Sequence, residues 1–378
     1  MKKVRVYKDF KTLPATGLHL FASTTSHKNI FASLAWLKNL DLSARPASSA
    51  LHIYCLESET DASPMTAALP MWAARYSQLG LSINTLTSLS NFYTSLYSVI
   101  AHNNGEAQRS DIQALIAMMA SEKPRWDVIN FHPMDPLASD FDALEAALKH
   151  ANMAIQTYFC FGNWYLDIRG RSYQEYFEQL PSKLKNTILR KSKQLIKAER
   201  LEMTIFQPGE SLDKALQDYQ TVYAASWKNA ETYPAFIPQL IALSADEGWL
   251  RLGIAYIDGR AAAAQIWLVH HQVASIYKLA YDEQYVKLSV GSILTAHVMR
   301  HVIDIDKVTE VDYLTGDEAY KQEWMSHRRE RWGITAFNRG TLAGVALAGR
   351  HILGRRIKIG LQSLAGFLNK SGSKNDIK

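Results

Sequence analysis

The sequence has little cysteine and no long hydrophobic run. Among its 378 residues only Cys55 and Cys160 are cysteines, and neither belongs to a Cys-x-x-Cys pair. Two cysteines in a chain of this size form no disulfide framework, so we expect a reducing compartment and no bound metal. No stretch approaches the roughly 18 apolar residues of a membrane-spanning helix. The basic start, MKKVRVYKDF, is not followed by the apolar run of a signal peptide. We therefore predict a cytoplasmic protein, with peripheral contact at the inner membrane left open.

Positive charge is concentrated at one end of the chain. The formal net charge is +6. Residues 339–378 contain eight lysines and arginines and one acidic residue, Asp376, so the rest of the chain is close to neutral. This distribution argues against a protein that binds nucleic acid over its whole surface. With 47% hydrophobic and 21% charged residues the chain is globular, and its length is sufficient for two domains.

The first half of the chain alternates between strand-like and helix-like segments. LHIYCLE (51–57) and WDVINFHPM (126–134) resemble buried strands, whereas NIFASLAWLKNL, DIQALIAMMASE and FDALEAALKHAN have helical spacing. FYTSLYSVIA (92–101) predicts the start of a further helix. This alternation predicts α/β or α+β packing. His132, beside Pro133 and Asp135, is either a catalytic group or part of a structural turn, and the turn is favoured.

A basic helical region follows from Ser172 to Glu199. Pro181 is expected to open its second half, because proline suits the first turn of a helix. The second half carries six cations, Lys183, Lys185, Arg190, Lys191, Lys193 and Lys197. One interpretation is a basic arm that contacts phosphate or an anionic substrate, and the other is a solvated amphipathic face.

The segment from Leu250 to His301 contains the most informative pattern. Asp258-Gly259 is a strong hairpin signal, and His271-Gln272 is a weaker one, so LRLGIAYI, AAAAQIWLVH and VASIYKLAYD are predicted to form three antiparallel strands. A short loop then leads to a helix that begins at Ser289–Ser292. The first turn of a helix has unpartnered backbone N–H groups and partial positive charge, so it can bind a phosphate group.

The order of elements here resembles the GCN5-related N-acyltransferase (GNAT) fold. GWLRLG, AAAAQIWLV, YKLAYD, SVGSILT, EVDYLTGDEAYKQEWM and RRERWGITAFN resemble a bacterial branch of acetyltransferases associated with cellulose and exopolysaccharide genes. That branch is related to the Fem-type peptidoglycan aminoacyl transferases. The resemblance covers roughly residues 175–340. It implies tandem GNAT-like domains with mixed, mostly antiparallel sheets flanked by helices: a degenerate domain at 1–165, an acyltransferase domain at 166–340 and a basic tail at 341–378.

The resemblance also implies a donor site for acetyl-CoA or another acyl-CoA. The residues expected to bind it are Lys287, Ser289, Val290, Gly291 and Ser292. The usual phosphate loop of the superfamily reads Gln/Arg-x-x-Gly-x-Gly/Ala. Aligned on Gly291, this chain departs from it at Leu288 and Ile293. Some Fem-type relatives use aminoacyl-tRNA instead, and only under that alternative is nucleic acid expected as a partner.

Acyl transfer requires a base, an acid and donors to the oxyanion. Asp312 and Asp282 lie at the ends of strands that flank the donor helix, and the superfamily often places a tyrosine acid where Tyr320 lies. Asp312 could instead have a structural role, as a cap or in an ion pair with Lys321 or Arg328. Tyr320 could instead be a half-buried residue that only packs against its neighbours. Residues predicted to contact the acceptor are Trp227, Gln265, Lys278, Asp317 and Lys321. HRRERW (327–332) either binds the CoA 3′-phosphate or an anionic glycan lipid or forms a solvated edge strand, and the edge strand is favoured.

The tail combines apolar and basic residues. Residues 340–368 can form a basic amphipathic helix, interrupted by glycines, that lies on an anionic membrane or packs on the protein. The predicted function is transfer of an acyl group, expected to be acetyl, from acyl-CoA to an amine or hydroxyl of a sugar or cell-envelope or exopolysaccharide precursor. The alternatives are a Fem-type aminoacyl-tRNA-dependent transferase and a non-catalytic, membrane-associated scaffold in polysaccharide assembly.

Overall fold

A computed structural model describes residues 2–23, 28–58, 65–78, 80–102, 104–206 and 211–353. The predicted tail helix falls mostly on residues outside these ranges. In the described part of the tail, a short helix at Leu342–Ala348 is followed by a π-helical turn at Gly349–Leu353. Within the described ranges, no helix is both long and apolar enough to cross a membrane.

The first half of the chain alternates strands with helices as the sequence predicts. Its elements are β1 (Lys2–Tyr7), α1 (Ala15–Ser23), α2 (Leu34–Ala44), β2 (Ser49–Ser58), β3 (Ala67–Gln78), β4 (Leu81–Ser88), β5 (Ile100–Ala101), α3 (Gly105–Ser121), β6 (Val128–Met134), α4 (Ser139–His150) and β7 (Met153–Asp167). Single 3-10 turns lie at Phe10–Thr12 and Ile30–Ala32.

The helix predicted to start in FYTSLYSVIA is wrong. Residues 91–99 form irregular chain that ends in β5. Asn91 explains the local conformation, because its side chain accepts a hydrogen bond from the Tyr93 N–H while its carbonyl accepts one from the Thr94 N–H. These turn bonds compete with helical hydrogen bonding.

The second half contains the hairpins and the helix predicted around Gly291. Its elements are α5 (Tyr173–Glu178), α6 (Ser182–Lys197), β8 (Leu201–Ile205), α7 (Leu212–Ala224), α8 (Phe236–Asp246), β9 (Leu250–Ile257), β10 (Arg260–His270), β11 (Val273–Tyr281), α9 (Val290–Asp304), β12 (Glu310–Asp312), α10 (Ala319–Gln322), β13 (His327–Asn338) and α11 (Leu342–Ala348). A 3-10 helix at Glu283–Leu288 connects β11 to α9. Pro181 immediately precedes α6, so the long basic region is divided where the proline predicts.

One sheet contains the strands of both halves. Its order is β1-β2-β3-β4-β6-β13-β7-β12-β11-β10-β9-β8, with β5 beside β3. Two pairs, β4 with β6 and β11 with β12, are parallel, and the other pairs are antiparallel. The order is symmetric about the central β13–β7 pair, so each half repeats the same arrangement. The two halves exchange their last strands. The last strand of the first half, β7, pairs with β12 of the second half, and the last strand of the second half, β13, pairs with β6 of the first.

Helices cover both faces of this sheet. On one face, α1 and α2 of the first half share a hydrophobic core with α7 and α8 of the second half. Trp36 of α2 packs edge-on against Phe236 and Tyr277, which ties the two halves together. On the opposite face, α5, α6 and α9 cover the second half, while α3 and α4 cover the first.

The predicted fold class is confirmed as mixed α/β, with a mostly antiparallel sheet flanked by helices. The predicted domain boundary at residue 165 lies inside β7, and the strands of both halves join in one sheet. The division into domains stays a prediction. The edge strand predicted for HRRERW is found in part. In the strand order β13 lies between β6 and β7, but His327–Arg331 pair with β7 alone, because pairing with β6 begins at Trp332.

Candidate active site

A cleft opens where the parallel strands β11 and β12 separate. The two strands pair only over Val273–Ser275 and Glu310–Asp312. Beyond that point the chain after β12 turns away through Leu314 and Gly316, which both have positive φ values, of 57° and 109°. The edge of β11 beyond Ser275 is therefore left without a neighbour in the sheet.

The cleft has a volume of about 210 Å³ and takes residues from both halves of the chain. The first half contributes Phe92, Tyr93 and Ser95 from the irregular segment before β5. The second half contributes Lys228, residues 276–279 of β11, residues 313–315, Glu318, Tyr320 and Lys321. The predicted site residues Lys278, Tyr320 and Lys321 are thus brought together.

A β-bulge aims two consecutive side chains of β11 at the same side of the sheet. Ile276 pairs with Trp267 and Lys278 pairs with Ile266, so Tyr277 is an extra residue in the ladder. A bulge of this kind changes the direction of side chains locally. Tyr277 consequently donates a hydrogen bond to the Tyr93 carbonyl at 3.1 Å, while Lys278 reaches Glu231 on the same side.

Glu231 accepts hydrogen bonds from three side chains beneath the cleft. Lys278 Nζ lies 2.6 Å from Glu231, and the hydroxyls of Tyr93 and Tyr223 lie at 2.6 and 2.7 Å. Burial alone would raise the pKa of Glu231, but these hydrogen bonds outweigh it and hold the pKa below its usual value. Glu231 is therefore ionised, and it fixes the position of the Lys278 ammonium in the cleft.

Lys228 faces a different environment from the other cleft lysines. Lys321 pairs with Glu318 at 2.8 Å and donates to the Thr315 carbonyl. Within the part of the chain that the structure describes, no hydrogen-bond acceptor or carboxylate lies within bonding distance of Lys228 Nζ. Burial lowers the pKa of Lys228, and the neighbouring charge of Lys278 lowers it further. A lysine with a lowered pKa is neutral in a larger fraction of molecules at a given pH than a surface lysine, and only the neutral amine can accept a proton.

Tyr320 lies at the other side of the cleft. Its ring contacts Tyr313 edge-on, with 5.8 Å between ring centroids. Burial raises the pKa of Tyr320 to about 12, and the nearby carboxylate of Glu318 adds to the effect. The hydroxyl is therefore protonated at neutral pH and can act only as a proton donor.

Asp312 is held in a buried network behind the cleft. Arg329 donates to Asp312 at 2.5 Å, and Asn163 donates to it at the same distance. The other contact of Asp312 is with the N–H of Leu314, at 2.6 Å. Asn163 also donates to the Leu314 carbonyl at 2.8 Å. These bonds hold Leu314 in its left-handed conformation at the cleft wall, so Asp312 positions the wall and does not line the cleft.

The first turn of α9 is fixed by Gln265. Gln265 is 1% exposed, and its amide donates to the Gly291 carbonyl at 3.0 Å and to the Thr295 hydroxyl at 2.8 Å. Trp267 donates to its side-chain oxygen at 2.9 Å. Because all of these hydrogen bonds are internal, Gln265 is not free to contact an acceptor. Its cross-strand partner is Leu279, which lines the cleft, so the helix start lies beside the cleft.

The predicted phosphate loop has the geometry of a helix start. Ser289 has a φ of 56°, and α9 begins at Val290. The first-turn N–H groups of Val290, Gly291 and Ser292 have no acceptor within the helix. A Cβ added at Gly291 would lie 3.2 Å from the Tyr281 ring, and the Tyr281 ring contacts Trp227 at 4.5 Å between centroids. Trp227 is 48% exposed at this position, next to Lys228.

Three other predicted site residues lie outside the cleft. Asp282 caps the 3-10 helix by accepting from the Gln284 N–H at 3.0 Å. Asp317 forms an exposed ion pair with Arg328 at 2.7 Å and accepts from Trp164. Lys287 is exposed in the last turn of the 3-10 helix before Ser289.

The comparison with family models identifies the region around this cleft. Residues 182–322 match the model described as the acetyltransferase (GNAT) domain. This stretch of the chain is therefore similar to a GNAT domain. The matched range includes β11, α9 and β12, and it ends at the last residue of α10. Among curated protein sequences, none matches the chain.

Solved structures that are similar to this chain extend over both of its halves. FemX is 8% identical, with a TM-score of 0.60, over 85% of this chain and 96% of that one. A Bacteroides thetaiotaomicron protein of unknown function is 12% identical, with a TM-score of 0.51, over 84% and 95%. A tandem GNAT protein from the clavulanic acid biosynthesis pathway is 11% identical, with a TM-score of 0.49, over 88% and 98%. At such identities the FemX and Bacteroides matches show a shared fold.

Proposed function

We propose that this protein transfers an acyl group, acetyl in the simplest case, from acyl-CoA to an amine or hydroxyl. The observation that carries the proposal is the cleft between the separated strands β11 and β12, beside the first turn of α9, with most of its lining in the range that matches the GNAT model. A phosphate-bearing donor and an acceptor can meet there from different sides of the sheet.

The donor is proposed to bind by its pyrophosphate at Ser289–Ser292. The N–H groups of that turn, together with the positive end of the helix dipole, favour an anion. Lys287 adds a positive charge one turn before the helix. The thioester then extends into the cleft. The free edge of β11 beyond Ser275 supplies backbone N–H groups to the developing oxyanion.

Two side chains are suited to the proton transfers. Lys228 accepts the proton of the acceptor amine or hydroxyl as the new bond to the acyl carbon forms. Tyr320 donates its proton to the departing thiolate as the carbon–sulfur bond breaks, and solvent restores both groups. Lys278, fixed by Glu231, orients the acceptor. In this proposal Asp312 and Asp282 transfer no proton. Asp312 stabilises the chain at Leu314, and Asp282 stabilises the 3-10 helix before α9.

The acceptor is proposed to be a sugar or a cell-envelope or exopolysaccharide precursor. This class follows from the resemblance of EVDYLTGDEAYKQEWM and the neighbouring motifs to the exopolysaccharide-associated branch. The tail at 340–368 is proposed to contact the membrane where such precursors are made. The Fem-type alternative replaces acyl-CoA with aminoacyl-tRNA, and the scaffold alternative requires no donor.

Calorimetry with acetyl-CoA and a long-chain acyl-CoA tests the proposed donor. We expect saturable binding of acetyl-CoA with one site per chain. If only the long-chain acyl-CoA binds, the donor is still an acyl-CoA, but the transferred group is a long-chain acyl group and not acetyl. If neither binds while charged tRNA does, the Fem-type alternative is correct, and if none of the three binds, the scaffold alternative is favoured.

Lys228→Met is expected to lower the rate of CoA release with a sugar amine acceptor by about 10²–10⁴-fold, the usual contribution of a general base. Because the base must be deprotonated, the wild-type rate should rise with pH through the lowered pKa of Lys228. The variant should lose that rise while binding acetyl-CoA normally.

Lys123→Met is the matched control for this prediction, because Lys123 is exposed in the first half of the chain. It should leave both the rate and its pH dependence unchanged. An unaltered pH profile in Lys228→Met would assign the base to another group.

A further inference from the structure

Helix α6 presents a row of cations that the proposed acyl transfer does not use. Its six lysines and arginines are accompanied by no acidic residue within the helix. In the described ranges, no carboxylate forms an ion pair with any of the six. Glu178 precedes the helix and Glu199 follows it, so no negative charge interrupts the row.

Two large apolar side chains are exposed on the same helix. Leu184, Ile188 and Leu195 form its buried face. Leu189 is 55% exposed and Ile196 is 59% exposed. At 100° per residue these two lie on one side of the helix, with Lys193 beside them and Arg190 and Lys197 farther round. The apolar pair thus lies between the buried face and three of the cations, Arg190, Lys193 and Lys197.

A groove runs along the side of α6 that carries Leu189 and Ile196. It has a volume of about 440 Å³ and lies between α5, α6, α9 and β8. Its lining is mostly apolar and includes Phe177, Ile188, Met203, Ile293 and Ala296. This volume lies within the range of sites that bind small apolar ligands.

The far rim of the groove carries one arginine, Arg300. Arg300 of α9 lies over the Tyr173 ring, with 4.9 Å from the guanidinium carbon to the ring centroid. His297 lines the groove one turn earlier on the same helix. Asp304 is the one carboxylate of the lining, and it accepts a hydrogen bond from the Tyr173 N–H at 2.9 Å. The groove therefore has an apolar floor, with the α6 cations outside one rim and Arg300, close to the Asp304 carboxylate, on the other.

We propose that α6 and this groove bind the surface of an anionic phospholipid bilayer. The cations of α6 contact lipid phosphates, Leu189 and Ile196 insert at the boundary of the acyl chains, and the groove takes part of one acyl chain. A helix that combines a cationic face with exposed leucine and isoleucine is typical of attachment to a membrane surface. This site is separate from the tail and from the cleft.

The composition of α6 favours lipid over RNA. Single-stranded RNA is bound through stacking on aromatic side chains, and α6 contains no aromatic residue. Phosphate contacts alone would also give no role to Leu189, Ile196 or the apolar groove. A bilayer accounts for the charges and for the exposed apolar area together.

Co-sedimentation of the full-length chain with vesicles tests the proposal. Equimolar phosphatidylglycerol and phosphatidylcholine vesicles should bind the protein, and pure phosphatidylcholine vesicles should not. Substituting Arg190, Lys193 and Lys197 together by glutamine should weaken binding by roughly a hundredfold, because each cation near an anionic surface contributes about fivefold. The Leu189→Ser and Ile196→Ser double variant should bind weakly at low salt and lose binding when salt is added, since only the charge attraction remains.

Lys3, Lys11 and Lys38 substituted by glutamine give a control with the same change in net charge, because all three are exposed in the first half of the chain. This variant should bind vesicles as the wild type does. An equal loss in control and α6 variant would overturn the proposal, because it would indicate a nonspecific charge effect. Binding that is unchanged in the α6 variants but lost when residues 354–378 are deleted would also overturn it. Binding of duplex or transfer RNA, with none to vesicles, would overturn it in favour of an RNA partner.

Discussion

Replacing Arg329 by methionine is expected to lower the free energy of unfolding by about 3–5 kcal/mol, the usual cost of removing one partner from a buried ion pair. The Arg329 guanidinium donates to Asp312 at 2.5 Å, to Asn163 at 2.6 Å and to Glu310 at 2.7 Å. Methionine preserves much of the volume but leaves two carboxylates without a counter-ion in the middle of the sheet. Urea unfolding, followed by circular dichroism, measures the loss.

Arg328→Met provides the matched control one position earlier in β13. Arg328 pairs with Asp317 at the surface, where an ion pair contributes about 0–1 kcal/mol. The control should therefore unfold close to the wild-type midpoint. Equal destabilisation of the two variants would contradict a buried role for Arg329.

Arg329→Met should also change how the free energy of unfolding depends on pH. Burial raises the pKa of Glu310, and Arg329 opposes that rise. Without the arginine the folded-state pKa rises further above the unfolded value. The folded protein then holds more protons than the unfolded chain across that interval, so stability falls as pH rises through it. The difference between variant and wild type should therefore be smaller at acidic pH than at neutral pH.

The local parts of the fold could be predicted from the sequence because their signals are local. Asp258-Gly259 predicts the β9–β10 hairpin, and Asp258 has a φ of 53°, as a turn of that kind requires. His271-Gln272 likewise forms the turn before β11, and the helix start at Ser289–Ser292 is found one residue into the predicted range. Each of these features depends on residues within one turn of each other.

The central exchange of strands could not be predicted in this way. HRRERW has the charge of a solvated edge and keeps one open side, yet its other side pairs with β7, more than 150 residues earlier in the chain, and the rest of β13 pairs with both β6 and β7. Two of its arginines have acidic partners outside β13: Arg329 pairs with Asp312 of β12, and Arg331 pairs with Asp135, the residue after β6. Such pairing depends on contacts distant in sequence, which hydrophobic periodicity does not record.

The candidate site shows the same division. The sequence could predict three of the cleft residues, Lys278, Tyr320 and Lys321, because they lie in or beside elements with clear patterns. Tyr93, Lys228 and Glu231 lie in irregular chain, and their contacts cross between the two halves. The single sequence signal was the cluster of polar and aromatic residues in SWKNAETYP after α7, which has no periodicity to explain it. Asp312 was predicted as a site residue because it lies at the end of a strand beside the donor helix. The alternation of side chains along that strand could not show that Arg329, on another strand, is its partner.

Gly291→Trp is expected to abolish detectable binding of acetyl-CoA. A Cβ at this position already lies 3.2 Å from the Tyr281 ring, so an indole must displace that ring or cover the first turn of α9. Either change blocks the N–H groups proposed to bind the pyrophosphate. A hydrogen bond to a charged group contributes about 1.5–3 kcal/mol, so losing two lowers affinity by roughly a hundredfold or more. Gly291→Ala, which requires only a small shift of Tyr281, should retain measurable binding.

Gly349→Trp is the control for the added indole, because a Cβ there meets no atom within 4 Å. It should bind acetyl-CoA as the wild type does in calorimetry, with the same far-ultraviolet circular dichroism spectrum. Undiminished binding in a correctly folded Gly291→Trp variant would place the donor phosphates elsewhere. The departure of Leu288 and Ile293 from the usual phosphate-loop pattern would then mark a helix start that no longer binds a donor. Loss of binding confined to Gly291→Trp would instead indicate that the first turn of α9 binds CoA without those side chains, through its backbone.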